Sequence, residues 1–261
     1  MIKLERKCET LGCLVEHGAR LVEKYRTQKT AVWREPCIKK ELSGALLAMS
    51  HNKCAYCEAP LGQTDSYMEV EHFHCKSLYP EQVLTWENLL PACKRCNTKK
   101  GEHDVEARPI LNPADKTHDP KACLVFATYQ YEAREGSSLG QNTIDVLKLN
   151  DTERLYSVRY RMGENIRETI NHGIASVERF LRLTTPHDDA GTDIQAQIMS
   201  LLKGAQMESA FGSAAATALF GCADYVCLKR LLDKVALWTD DMTKLEQNAQ
   251  AIAMCRPAGK G

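Results

Sequence analysis

The chain has 261 residues, 44% of them hydrophobic and 26% charged, a balance that fits a soluble globular protein and speaks against disorder or a membrane class. Thirty-four Lys and Arg against thirty-four Asp and Glu leave a net charge of zero, which excludes nucleic-acid binding by bulk electrostatics alone. Met1 to Glu9 lacks a secretory apolar run, and the most apolar stretch, Ala214 to Ala223, ends far short of the roughly 20 residues that span a bilayer, so a cytoplasmic location is expected.

Residues 1–50 are expected to form a helical supporting segment. Leu11, Leu14, Val15, Leu21 and Val22 fall at helical spacing, and Pro36, whose missing N–H costs nothing in a first turn, opens a second helix to Met49. Residues 51–110 change character, with short apolar runs, clustered Cys and His, and a basic end at Lys94, Arg95, Lys99 and Lys100. Residues 111–261 are expected to form a mainly helical domain, the part that docks on a partner. Its β-prone run from Cys123 to Tyr131 predicts a strand or hairpin, with a Gly-Ser turn near Gly136. Asn150 and Glu153 have capping-box spacing, with Asn in place of Ser or Thr. Leu155, Val158, Met162, Ile166, Ile170, Ile174, Val177 and Leu181 then recur every three to four residues, which predicts a long amphipathic helix. Further helices are expected over 192–209, 212–235 and 240–254.

Four of the twelve cysteines have metal-ligand spacing. Cys54-Ala-Tyr-Cys57 and Cys93-Lys-Arg-Cys96 lie 35 residues apart, and each pair can present two thiolates from one tight turn. Two such turns complete the tetrahedral sphere that Zn²⁺ accepts, and a closed four-thiolate site holds a fold without doing catalysis. A redox role for either pair lacks the surrounding βαβ pattern. Cys8, Cys13, Cys37, Cys75, Cys123, Cys222, Cys227 and Cys255 form no second such set and are expected to be buried or idle thiols.

Between the cysteine pairs run Glu69-Val70-Glu71-His72-Phe73-His74-Cys75-Lys76-Ser77 and Trp86-Glu87-Asn88-Leu89-Leu90, and Asn97-Thr98-Lys99-Lys100-Gly101 follows the second pair. This order of acid-His, Asn-Leu and Cys-x-x-Cys-Asn-x-x-Lys-Gly resembles the HNH nuclease family. The resemblance implies an α+β fold: a ββα-metal module with a structural four-cysteine zinc site, embedded in a mainly helical protein. It also implies roles. His72 matches the general base, Glu71 and Asn97 the ligands of a catalytic Mg²⁺ or Mn²⁺, and Asn88 the residue that fixes the loop presenting the histidine. These residue types suit such roles, since a neutral imidazole can accept a proton from water and hard oxygen donors suit those ions. Asn97 could instead only cap its helix. Lys99 and Lys100 are candidates for phosphate contact or for a solvated helix face. His74 and Cys75 stand where many members have a basic residue and Pro, so a role for His74 is left open, and Glu69 and His103 are left unassigned.

Lys53 to Glu58, Val70 to Phe73, Tyr79-Pro80-Glu81, Trp86 to Cys93, Thr143-Ile144 and Leu147 to Asn150 further resemble one HNH subfamily, the PtuB nucleases of Septu-type antiphage systems and of some retrons. That resemblance implies an ATPase partner resembling PtuA and a nucleic-acid substrate, with DNA expected. From Cys54 to His103 there are five Lys or Arg and seven Asp or Glu, a balance of minus two, so a partner is expected to supply the basic surface. An RNA-cleaving toxin would use the same residues, whereas an inactive zinc-stabilised adaptor would have no need of His72 and Asn97.

Overall fold

A computed structural model describes residues 1–62, 67–182 and 188–255. The chain forms two compact units, one from residues 1–124 and 132–149, the other from residues 125–131 and from 150 onward. The first is built on helices α1 (Gly12–Gln28) and α2 (Pro36–Met49), joined through a 3₁₀ turn at Val32–Arg34. Pro36 occupies the first turn of α2, and Ile38, Leu42, Leu46 and Met49, three to four residues apart, are its buried stripe. Val15, grouped above with the apolar positions of α1, is 71% exposed, because the helix turns Leu14 and Leu21 inward instead.

Strands β1 (Met68–His72) and β2 (Leu89–Cys93) pair antiparallel, Met68 opposite Cys93 and His72 opposite Leu89. A two-stranded ribbon tolerates Pro91 because it has no central strand to disrupt. The Pro91 carbonyl accepts from the Ala55 N–H at 2.8 Å, tying the first cysteine turn to the ribbon. Helix α3 (Lys94–Lys100) follows at once and runs back along the ribbon. Seven helical residues rise about 10 Å and four strand steps about 13 Å, so α3 returns from the Cys93 end to the His72 end. Gly101, at φ +52°, closes it with its N–H on the Asn97 carbonyl. A short helix α4 (Pro120–Cys123) leads into β3 (Leu124–Ala127) and β4 (Gln130–Ala133), a hairpin whose turn residues Thr128 and Tyr129 both have positive φ. Helix α5 (Ser138–Leu147), for which no helix is expected from the sequence, ends this unit.

The second unit is helical: α6 (Ser157–Arg182), α7 (Asp188–Gly204), α8 (Gly212–Gly221), α9 (Ala223–Lys234) and α10 (Asp240–Ile252). Two expectations shift. The helix cap is Asp151, not Asn150: the Asp151 side chain accepts from the Arg154 N–H, while the Asn150 amide is spent on the backbone N–H and C=O of Tyr131. The helix expected over 212–235 breaks at Cys222, whose extended backbone separates α8 from α9. Seven of the ten residues of the Ala-rich α8 are buried, more than one face of a helix can hold. No helix among the described residues is long and apolar enough to cross a membrane.

Candidate active site and cysteine cluster

The two cysteine turns converge. Cys54, Cys57, Cys93 and Cys96 bring their sulfur atoms within 4.8 Å of one another and could hold a metal ion. Cys93 caps α3, its sulfur accepting the Cys96 N–H, so an anion there meets the positive end of the helix. Hydrogen bonds from Cys54, Cys57 and Cys96 hold the Cys93 thiol far below its ordinary pKa, and the same crowding pushes Cys57 and Cys96 well above theirs. The first turn lacks glycine, and Glu58 takes the left-handed conformation at φ 63°, with its N–H on the Cys54 carbonyl.

At the other end of the ribbon, Glu71, His72 and Asn97 line one cavity of about 200 Å³, together with Cys75, Lys76 and Gly101. Glu71 is buried, with the Lys100 ammonium 2.7 Å from its Oε1. The fully buried Tyr56 hydroxyl faces the same carboxylate. Burial pushes Glu71 up to about 7, against the opposing pull of Lys100. His72 is also buried; its Nε2 lies 3.0 Å from the Val83 carbonyl, so that nitrogen carries the proton and Nδ1 is left as the acceptor. Burial lowers its pKa to about 3, and the charge of Lys76 works the same way. The Trp33 ring stands edge-on to the imidazole, centroids 4.7 Å apart.

Asn97 donates its amide N–H to Glu69 Oε2 at 2.6 Å. A carboxylate can only accept, so this bond fixes which way the Asn97 amide points and leaves its oxygen for another partner. Asn88 is buried between β2 and the loop after β1: Oδ1 accepts from the His74 N–H at 2.6 Å, and Nδ2 donates to the carbonyls of His74 and Gln82. His74 turns away from the cavity, with Nε2 on Glu106 Oε1 at 2.9 Å and its ring against Phe73 and Tyr79. The His103 ring bonds the Arg108 carbonyl.

Lys99 and Lys100, paired in the sequence reading, part company. Lys99 is exposed, but Lys100 is buried, donating to the His72 carbonyl at 2.8 Å as well as facing Glu71, so it is not free to meet phosphate. Helical geometry explains the split, since adjacent residues point about 100° apart. Trp33 and Lys76 were missed as neighbours of His72. The Lys-Ser pair at Lys76-Ser77 was the available signal for one of them, whereas nothing local marked Trp33.

The HNH endonuclease family's model matches residues 54–103, the stretch that carries the cysteine turns, Glu71, His72, Asn88 and Asn97. The chain is 36% identical to the Septu protein PtuB of Bacillus thuringiensis over 261 residues, 98% of this chain and 96% of the relative. It is also 30% identical to the Septu protein PtuB of Bacillus mycoides (strain KBAB4) over 183 residues, 57% of this chain and 61% of that one. The chain belongs to the PtuB family and is an endonuclease.

Proposed function

We propose that this endonuclease is the DNA-cleaving effector of a Septu-type antiphage defence system, works with an ATPase partner resembling PtuA, and hydrolyses phosphodiester bonds at the cavity bounded by Glu71, His72 and Asn97. The observation that carries the reading is the meeting of those three side chains, from a strand end and a returning helix, in one cavity.

His72 is the general base in this reading. The Val83 carbonyl holds its Nε2–H, Nδ1 is left to take a proton from the attacking water, and the depressed pKa keeps the ring neutral beforehand. Asn88 sets the path of the loop that aims the ring. A catalytic Mg²⁺ or Mn²⁺ fits the donors available: Glu71 presents a buried carboxylate whose present counter-charge is the Lys100 ammonium, and the Asn97 amide oxygen is turned away from Glu69. Such an ion supplies Lewis-acid stabilisation of charge on the scissile phosphate and the leaving 3′ oxygen. Zn²⁺ fits the cysteine cluster, where four convergent sulfurs complete a closed sphere and stabilise the ribbon. The helical C-terminal half is the part assigned to the partner.

The test recovers the tagged chain with whatever binds it and follows cleavage of DNA and RNA with Mg²⁺. His72→Ala should lower the rate by about 10²–10⁴-fold while the bound metal of the cysteine cluster is retained. Equal rates in the two proteins would refute the base, and cleavage confined to RNA would overturn the DNA assignment.

A further inference from the structure

A second groove, of about 500 Å³, opens beside the catalytic cavity and shares Lys76 and Asn97 with it. Its outer walls come largely from the N-terminal helices, through Trp33, Arg34 and Lys39, with Tyr67 leading into β1. Arg34, Lys39 and Lys76 are exposed, and none forms an ion pair among the described residues, whereas nearby Lys24 is paired with Glu35 at 2.6 Å. The groove also holds the Glu69 carboxylate, which takes the Asn97 amide N–H, so three exposed cations against one engaged carboxylate leave the groove favouring an anion. Trp33 is half-buried, edge-on to His72, with the Lys76 ammonium 5.5 Å from its ring centroid. The Tyr25 hydroxyl of α1 donates to the Lys76 carbonyl at 3.2 Å, so the N-terminal helices also brace the loop that carries Lys76.

The charge balance changes sign in the same place. Residues 1–50 hold ten Lys or Arg and six Glu, a balance of plus four, against minus two for Cys54 to His103. The basic surface that the nuclease motif lacks is therefore present on the segment folded beside it.

We propose that this groove is the path of the substrate strand, with Arg34, Lys39 and Lys76 on the phosphates flanking the scissile one and Trp33 and Tyr67 as flat faces for the adjoining nucleotides. The inference rests on the nuclease reading of the cavity and names where its substrate lies. Cations that follow a backbone beside aromatic faces bind polynucleotides with little regard to sequence, and the phosphodiester chain of DNA or RNA is the shared ligand chemistry.

Binding is measured on the full-length His72→Ala chain by fluorescence anisotropy, using a single-stranded DNA, its duplex and an RNA of the same sequence. Adding Arg34→Ala and Lys39→Ala should weaken binding about tenfold near 0.1 M salt and reduce the slope of log affinity against log salt by about 1.4 for a single strand or about 1.8 for a duplex. Lys40→Ala, exposed on the same helix but off the groove, should stay within about twofold, since a charge making no phosphate contact releases no counterion. Unchanged affinity and slope in the double variant, or no binding of any strand by the chain, overturns the path. In the His72-intact chain the same pair should raise KM and leave kcat in place, and a loss confined to kcat also overturns it. Binding with the expected slope but no cleavage leaves the path standing and removes the nuclease reading. Cleavage that needs His72 but not Arg34 or Lys39 does the reverse. The strand bound most tightly identifies the sugar.

Discussion

The cysteine cluster and the acidic cavity sit at the two ends of one ribbon and solve opposite problems. At the first, four soft donors converge on each other and have few other partners to satisfy. At the second, the Glu71 carboxylate already faces the Lys100 ammonium while the Asn97 oxygen is left over from the bond its N–H makes to Glu69, so a catalytic ion would enter in competition with the protein's own cation. On the reading proposed above, the cluster would be filled once and hold the fold, whereas the cavity would remain a folded, compensated site with or without an ion.

The largest expected effect tests the first half of that contrast. Structural zinc contributes of order 10 kcal/mol to small domains, as much as the whole stability of many folds. Strong chelator, or Cys96→Ser, should therefore abolish hydrogen-exchange protection of the β1–β2 amides while the α6–α10 helices keep theirs. Persistence of ribbon protection in chelator would erase the distinction.

Next comes the compensating lysine. Above about pH 8, where Glu71 is ionised, Lys100→Met strands a buried carboxylate and should cost about 3–5 kcal/mol in denaturant unfolding, most of it recovered when Glu71→Gln is added. A cost below about 1 kcal/mol would mean that Lys100 does not stand in for the ion.

The smallest effect is a pH signature of the metal-free protein. Glu71 is raised from 4.5 to about 7, so its contribution is complete below pH 4.5 and is lost as pH rises through 7. His72 is lowered from 6.5 to about 3, so its contribution is complete above pH 6.5 and is lost as pH falls toward 3. The two slopes oppose each other between about 4.5 and 6.5, leaving a plateau that falls away on both sides. Glu71→Gln should remove the alkaline fall and His72→Ala the acid one, as read from melting temperature against pH. Mg²⁺ should also flatten the alkaline side, since a bound cation favours the ionised carboxylate.

Much of the site was legible in the sequence because its chemistry is local. Each C-x-x-C pair can turn two thiols toward one point, Asn97 directly follows the second pair, and Glu71-His72 lies between the two pairs. The helix from Pro36 to Met49 was legible because proline marks a start and Ile38, Leu42 and Leu46 mark a face. What escaped was non-local. Lys100 looks like any basic helix end until α3 is folded back over Glu71, and Trp33 meets the His72 ring only because the N-terminal helices pack beside the ribbon. The cap at Asp151 was misplaced by one residue for the same reason, since the distant Tyr131 backbone claims Asn150.

Cys96 and Asn97 are consecutive residues on α3. One faces the sulfur cluster and the next faces the acidic cavity, a divergence of about 100° fixed by helical geometry. The cysteine cluster and the acidic cavity are therefore indexed to each other like adjacent teeth on a gear. A single residue inserted between them would leave every ligand present in the chain, yet swing Asn97 and Lys100 a quarter turn or more away from Glu71. The spacing between these two sites is for this reason as much a part of the enzyme as the residues themselves.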